Sequence, residues 1–398
     1  MKFNHKQQSL PTAIVVGNGT NALGVVRSLG RHGVPVLSIV DHPDAIPLRS
    51  RFGVKQVWPA IAGELFVEQL ESLAATSSGP TPILFMTEEK TVTTVSEART
   101  RVQAVTRIVL PEHQRLMSLM HKQRFQSLAE QTGALIPRVV HLKCEADLSK
   151  LIDLRFPCVL KPAYKHHDYG IRFKKAYVIK SAHEAALLYE EIAPVLADIV
   201  VQEWVEGGDD DIYFNLQYIG EDGRLVVSFP GRKIRSWPPR IGGTASCLPA
   251  WEHAEELEKL TYSFFRKVDF VGMGSMEFKR DRHDGRFYMI EPTVARTDFQ
   301  EEVATINGVN LPLAAYRYEA GLLQIEKPSP SSMRIWRDTV IDRWSQVAQG
   351  ENAELDRYPT CDSLWRWDDP GPWFQSIQQR IKWRWRALTD RASRLSQS

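Results

Sequence analysis

The chain has 398 residues, 43% of them hydrophobic and 25% charged, which is enough for two or three subdomains with cores of their own. Its net charge of +2 gives the chain as a whole no polyanion-binding character, so nucleic acid is not an expected partner. Cys144, Cys158, Cys247 and Cys361 are scattered without a Cys-x-x-Cys spacing, which argues against a disulfide frame or a zinc site and fits a reducing cytoplasm. The short apolar run Ala13–Val16 reads as a buried strand, and no apolar run has the length needed to span a bilayer.

Taken in order, the segment from Ala13 to about Leu110 reads as a doubly wound α/β unit. A strand, Ala13–Val16, meets a glycine turn, Gly17–Ala22; a helix, Ala22–His32, then leads to a second strand, Val36–Val40, ending at Asp41. The turn fits G-x-G-x-x-A followed by an acid about twenty residues on, the dinucleotide fingerprint. Tight βα turns of other open sheets use glycine for the same backbone freedom, so an NAD-dependent oxidoreductase is one reading among several. A further strand, Ile83–Thr87, carries Glu88 and Glu89 at its carboxyl end.

The spacing predicts an amphipathic helix over Ser118–Thr132 that carries Lys122. In Phe156–Pro162, Lys161 stands alone in an apolar strand; a buried lysine is costly unless it meets an anion. The loop Ala163–Gly170 holds Lys165, His166 and His167 as side-chain donors. After a helix at Ala182–Leu196, the strand Ile199–Val205 runs through Glu203, Trp204 and Val205 into Asp209, Asp210 and Asp211. Tyr213–Ile219 and Leu225–Phe229 form a hairpin turning at Asp222-Gly223, with Arg232 and Lys233 at its end. Gly242–Ser246 reads as a flexible small-residue loop, and Glu252–Lys267 as a helix.

The stretch Gly272–Arg296 carries the most chemistry. Two strands, Gly274–Lys279 and Arg286–Ile290, are joined by a polar turn with Asp284-Gly285. Such a hairpin brings Glu277 and Glu291 to one end of a sheet. Two carboxylates held there repel unless a cation lies between them, and Mg²⁺ takes one or two carboxylates while filling its other positions with water and phosphate oxygens. Arg296 follows and can meet developing negative charge. Helices at Phe299–Thr305 and Leu311–Ala320 close this part. Pro328–Ser331 reads as a linker to a basic, Trp-rich tail whose last stretch, Ile377–Leu395, is helical in pattern. Tryptophan beside arginine and lysine suits both a helix docked on the body and a membrane interface.

Glu277, a spacing of about a dozen residues, and then Glu291-Pro-Thr293-Val-Ala-Arg296 resemble the metal-binding core of the ATP-grasp superfamily, whose carboxylate–amine ligases join an acid to an amine using ATP. An Asn usually stands where this chain has Thr293, and Arg296 comes one residue late. Of its branches the chain looks most like the D-aspartate ligase-like and polysaccharide-associated proteins. The resemblance implies an α/β (α+β) ATP-grasp fold: a Rossmann-like subdomain over residues 1–118, a small α+β lid over 119–203, and a metal- and nucleotide-binding α+β subdomain over 204–325. A helical Trp-rich tail over 326–398 lies beyond it. It further implies Lys122 and Lys161 on the ATP phosphates and Glu203, Trp204 and Val205 at the adenine. Asp210 is implied at the ribose, Lys233 at the nucleotide and Arg232 at the transferring phosphoryl group. Glu277, Glu291 and Thr293 are implied around Mg²⁺ (or Mn²⁺), and Arg296 at the oxyanion. The expected ligands are ATP and small carboxylate and amine substrates such as amino acids. A homodimer is also expected, in the cytoplasm and attached peripherally to the inner membrane face through the tail. The competing reading is a non-catalytic nucleotide-binding protein of the same fold.

Overall fold

The computed structural model describes residues 10–163, 167–174, 176–240, 242–322 and 333–379. Three sheets organise them. The first contains β1 (Ala13–Val16), β2 (Val36–Val40), β3 (Val54–Val57) and β4 (Ile83–Met86), parallel in the order β3-β2-β1-β4. Every residue of β1, β2 and β4 is buried, as expected of parallel strands covered on both faces. Gly17 takes a φ of 146°, and a Cβ there would lie 2.0 Å from Thr87 Oγ1, so the end of β4 requires the glycine.

The second sheet falls in the segment expected to form the lid: β5 (Val139–Leu142), β6 (Cys158–Pro162), β7 (Tyr177–Ile179) and β8 (Ile199–Glu203), antiparallel in the order β5-β8-β6-β7. The helix Ala182–Ile192 covers it, buries Ala185, Tyr189 and Ile192, and is capped by Ser181 accepting from the Glu184 N–H. The lid keeps a core of its own around Leu160, Tyr189 and Val201.

The third sheet comprises β9 (Ile212–Ile219), β10 (Leu225–Trp237), β11 (Gly243–Pro249), β12 (Gly272–Arg280), β13 (Phe287–Val294), β14 (Ile335–Arg337) and β15 (Thr360–Asp362). Their order is β13-β12-β9-β10-β11-β14-β15. The helix Ala254–Lys267 buries Leu257, Thr261, Phe264 and Phe265, a stripe at helical spacing. Phe265 stacks on Phe270 with centroids 4.2 Å apart. These rings share a core with Ile14, Val16 and Leu84, so the first and third sheets are packed as one body.

Three expectations need correction. The helix expected over Ser118–Thr132 is two helices, His113–Met120 and Lys122–Gln131. His121 between them is extended (φ −97°, ψ 118°), which turns one buried stripe, Leu116 and Leu119, into another, Phe125 and Ala129. The small-residue segment Gly242–Ser246 is not a loop from Gly243 on but the start of β11, paired with a β10 that runs on to Trp237. The segment after residue 326 is helical only in part. Of the described residues, β14 and β15 extend the large sheet, the helix Thr339–Gln349 packs beside them, and 371–379 are helical. The expectations for Lys165, His166 and residues 380–398 lie outside the described residues.

Candidate active site

The hairpin β12–β13 pairs Glu277 directly with Glu291, and Ser275 with Thr293. Directly paired residues share a face, and residues two apart on a strand do too. Ser275, Glu277, Lys279, Glu291 and Thr293 therefore form one polar face. The turn is the expected one: Gly285 has a φ of 71° and its N–H donates to the Asp281 carbonyl at 2.8 Å.

β10 aims Lys233 at the same face. Its Nζ lies 2.6 Å from Glu277 Oε2, with 5% of the lysine side chain and 23% of the glutamate exposed. Burial pulls the Lys233 ammonium down, but Glu277, Asp298 and Glu291 together hold it above the ordinary lysine value. Burial pushes the Glu277 carboxyl up, against the pull of that ammonium. With part of Glu277 still exposed and a cation at 2.6 Å, the geometry supports the ionised pair. Glu291 is exposed. Asp298 stands beside them: Ser275 Oγ donates to its Oδ2 at 2.8 Å, Gln300 Nε2 donates to the same oxygen at 3.2 Å, and the Phe299 N–H donates to Oδ1 at 3.0 Å.

The loop after β13 turns at Ala295, which takes a φ of 55°. Arg296 then follows half-buried, its Nη1 donating to the Thr297 carbonyl at 3.3 Å. Thr297 is pinned by the glycine-turn helix. Its Oγ1 donates to Asn21 Oδ1 at 2.6 Å, and Asn21 Nδ2 donates back to its carbonyl at 2.9 Å. Part of the dinucleotide-like turn is thus spent on holding the Arg296 loop. The Asn18 N–H donates to Glu88 Oε1 at 2.8 Å, and Asn18 Nδ2 to Asp41 Oδ1 at 2.6 Å. Lys90 closes the group on Asp41 at 2.8 Å. In this arrangement a carboxylate holds the N–H that a pyrophosphate would need.

Lys161 sits on β6, half-buried, its Nζ donating to Gln202 Oε1 of β8 at 2.7 Å. Glu203 ends β8. It accepts the Arg155 N–H at 2.9 Å, and the Trp204 N–H donates to the Pro157 carbonyl at 3.0 Å. Val205 is buried behind them. Lys279 fixes the linker that follows: its Nζ donates to the carbonyls of Gly207 and Gly208, each at 2.9 Å, and lies 5.8 Å from the Trp204 ring centre. Burial draws the Lys279 ammonium below the ordinary value, against Asp211, Asp209 and Asp210. The chain leaving the lid is thereby tied to the strand that carries Glu277.

Two expected residues stand apart. Lys122 is exposed in the first turn of its helix. Arg232 is adjacent to Lys233 on β10 and so faces the other way. Its guanidinium lies 5.2 Å from the centre of the Tyr213 ring, and its Nε donates to the Asp210 carbonyl at 2.5 Å. It braces the Asp210 turn, which Arg282 also holds at 3.3 Å, and does not join Glu277 and Lys233. Sequence reasoning missed Lys279, although its position two residues after Glu277 on a strand was a signal. It also missed Asp298, which lies beyond the strand where no periodicity points to it.

Glu277 and Glu291 are hard oxygen donors in register, with the Thr293 hydroxyl on the same face. Among the described residues no group of three or more His, Cys, Asp or Glu is arranged as a metal cage. This donor set fits Mg²⁺, which binds through one or two carboxylates and takes its remaining ligands from phosphate and water.

No family model matches the sequence, and no curated protein matches it. Solved structures do. The ADP complex of purK, an N5-carboxyaminoimidazole ribonucleotide synthetase, superposes with a TM-score of 0.61 at 12% identity over 82% of each chain. The biotin carboxylase domain of a thermophilic 2-oxoglutarate carboxylase bound to bicarbonate gives 0.62 at 15% identity, over 82% of this chain and 74% of that one. The N5-carboxyaminoimidazole ribonucleotide synthetase from Thermus thermophilus gives 0.57 at 15% identity over 81% of each. At such identities the likeness is one of fold. The mixed α/β architecture described above, with its parallel first sheet, antiparallel second sheet and large, mostly antiparallel third sheet, is the ATP-grasp fold.

Proposed function

We propose that the chain is an ATP-dependent carboxylate–amine ligase. The observation that carries this is the polar face of β12 and β13, where Glu277 and Glu291 pair in register with Thr293 on the same face and Lys233 bonds Glu277, with the segment that leaves the second sheet tied to the same strand by Lys279. A metal-bound nucleotide needs carboxylates for its ion and cations for its phosphates, and this face offers both. Glu277, Glu291 and Thr293 would hold Mg²⁺ (or Mn²⁺), which when bound would neutralise charge on the phosphates. Lys161 reaches the phosphates from the lid. Glu203, Trp204 and Val205 border the adenine where the lid meets the large sheet, with Asp210 beside the ribose.

An oxygen of the substrate carboxylate attacks the γ-phosphorus and ADP leaves, giving an acyl phosphate. The amine nitrogen then attacks the acyl carbon, phosphate departs with its bonding pair, and the amine gives up a proton. Arg296, which donates to the carbonyl of a Thr297 that Asn21 pins, meets the oxyanion of that second step. Two neighbours named above are an ADP complex and a bicarbonate complex, which supports a nucleotide beside a small acid. The D-aspartate ligase-like branch, amino-acid substrates, a homodimer and a cytoplasmic enzyme held at the inner leaflet by its tail belong to this same proposal. The alternative of a non-catalytic nucleotide-binding protein predicts the same ligand without turnover.

Release of ADP from ATP and Mg²⁺, screened across amino acids as acid and amine, tests the proposal. Stimulated release with one pair is the expected result. Thermal stabilisation by Mg²⁺–ATP with no stimulated release identifies the non-catalytic alternative. Stabilisation by NAD(H) and not by ATP overturns both.

A further inference from the structure

Lys233 gives the metal face a cation of its own. Its ammonium is almost fully enclosed and bonded to Glu277 at 2.6 Å, and a buried lysine persists only with such a partner. Glu291 stands directly opposite Glu277 across the hairpin, and Asp298 is bonded to Ser275, two residues before Glu277 on the same face of β12. A second divalent ion bridging Glu277 would have to displace that ammonium, or share the carboxylate with it at a few ångströms, and the enclosed side chain has little solvent in which to screen the repulsion. The other ligands agree. Thr293 offers one neutral hydroxyl, Asp298 is engaged by Ser275, Gln300 and the Phe299 N–H, and the exposed Glu291 is the carboxylate most accessible to an arriving ion.

We infer that the Lys233 ammonium stands in for a second metal ion, so that this chain takes up its nucleoside triphosphate with one divalent cation and not two. The inference rests on the nucleotide reading of the site and adds its metal stoichiometry and a positioning role for Lys233.

Titration of the full chain with Mn²⁺ at saturating non-hydrolysable ATP analogue, with bound ion counted by paramagnetic resonance, decides it. The wild-type chain is expected to bind one Mn²⁺ per nucleotide. Lys233→Met, which removes the charge but keeps the length, is expected to bind two, or to tighten a second ion at least tenfold. Lys233→Arg, which keeps the charge, is expected to stay at one. Two ions on the wild-type chain overturn the inference even if Lys233→Met does not fold, and so does a Lys233→Met chain that still takes only one. Nucleotide binding is read in the same titration from the analogue itself. If the analogue does not bind at all, the nucleotide reading falls and the inference falls with it; if it binds with two ions, the inference alone falls.

Discussion

Glu277 and Glu291 face one another across the β12–β13 ladder in direct register, with the Lys233 ammonium 2.6 Å from the first of them. Like charges directly opposite are destabilising in a sheet, so the pairing is expected of a site that receives a cation. Glu291 is the exposed member, and Glu291→Gln keeps its shape while removing its charge. Turnover should fall by roughly 100-fold or more, as for loss of several kcal/mol of charge stabilisation in the transition state. Adenine affinity should change far less, because Glu203, Trp204 and Val205 lie on the lid side. Steady-state ADP release and equilibrium binding of ADP without metal measure the two separately. Near wild-type turnover in this variant means that the carboxylate pair is not the metal site.

The segment after β15 is clamped to the helix Thr20–Gly30 by a buried charge. Arg27 is fully enclosed and donates to Asp369 Oδ2 at 2.8 Å and to the carbonyls of Ser363, Leu364 and Asp369. Asp369 also accepts from Ser50 Oγ at 2.8 Å and the Arg51 N–H at 2.7 Å. Breaking one side of a buried pair leaves the other charge without compensation and costs roughly 3–5 kcal/mol. Asp369→Ala should therefore lower the urea midpoint sharply. Asp368→Ala, which cuts a pair with Arg31 that is partly exposed on both sides, should lower it much less. Equal effects from the two variants would show that burial does not set the strength of this clamp.

Much of the fold was legible because its signals are local. β1 is an uninterrupted apolar run and β2 is broken only by Ser38, and the Asp284-Gly285 turn fixes a hairpin whose strand period places Glu277 and Glu291 on one face. The helix expected over Ala182–Leu196 is present over Ala182–Ile192. Misreadings came where tertiary pairing decides. β10 runs on through Pro230 and Gly231 to Trp237 because β9 and β11 pair with it on either side, and that extension puts Arg232 and Lys233 on opposite faces. Gly243–Ser246 looks loop-like because its residues are small, yet it is a strand beside β10, buried from Thr244 on. The part of the tail now seen as β14 and β15 joins the large sheet through Ser246 and Cys247, which stand far earlier in the chain, so no window of the sequence displays the pairing.

The tail also carries a prediction about surfaces. In the described part, Trp365 contacts Trp367 and Trp373 with ring centres 5.3 and 5.0 Å apart, and Trp367 is 89% and Phe374 54% exposed. The sequence that follows holds Arg380, Lys382, Arg384, Arg386, Arg391 and Arg394 with Trp383 and Trp385. Each basic residue near an anionic bilayer contributes about 1 kcal/mol, an attraction that salt weakens. The full chain should sediment with anionic vesicles at low salt and not with neutral ones, and a chain ending at Gln379 should bind them less. A full chain that stays in the supernatant with anionic vesicles at low salt removes the membrane attachment from the proposal.

Stability should depend on pH through Glu301. Its side chain is buried, its Oε2 has no hydrogen-bond partner among the described residues, and it lies against Gly24 of the first helix. Burial, with the neighbouring Glu302 adding to it, raises its carboxyl from 4.5 to about 8. Below pH 4.5 the folded and unfolded chains both hold the proton, and Glu301 costs nothing extra. Between 4.5 and about 8 the unfolded chain has released its proton while the folded chain keeps it. The unfolded state then binds fewer protons, so stability falls as pH rises. Above about pH 8 the folded carboxyl ionises too, and the loss levels off at an order of a few kcal/mol. Glu301→Gln has no proton to release and should escape this loss. Measured by urea unfolding, its stability relative to wild type should improve by that amount between about pH 5 and about pH 8.5. A difference that stays constant across that range would mean that Glu301 ionises in the folded chain as readily as in the unfolded one.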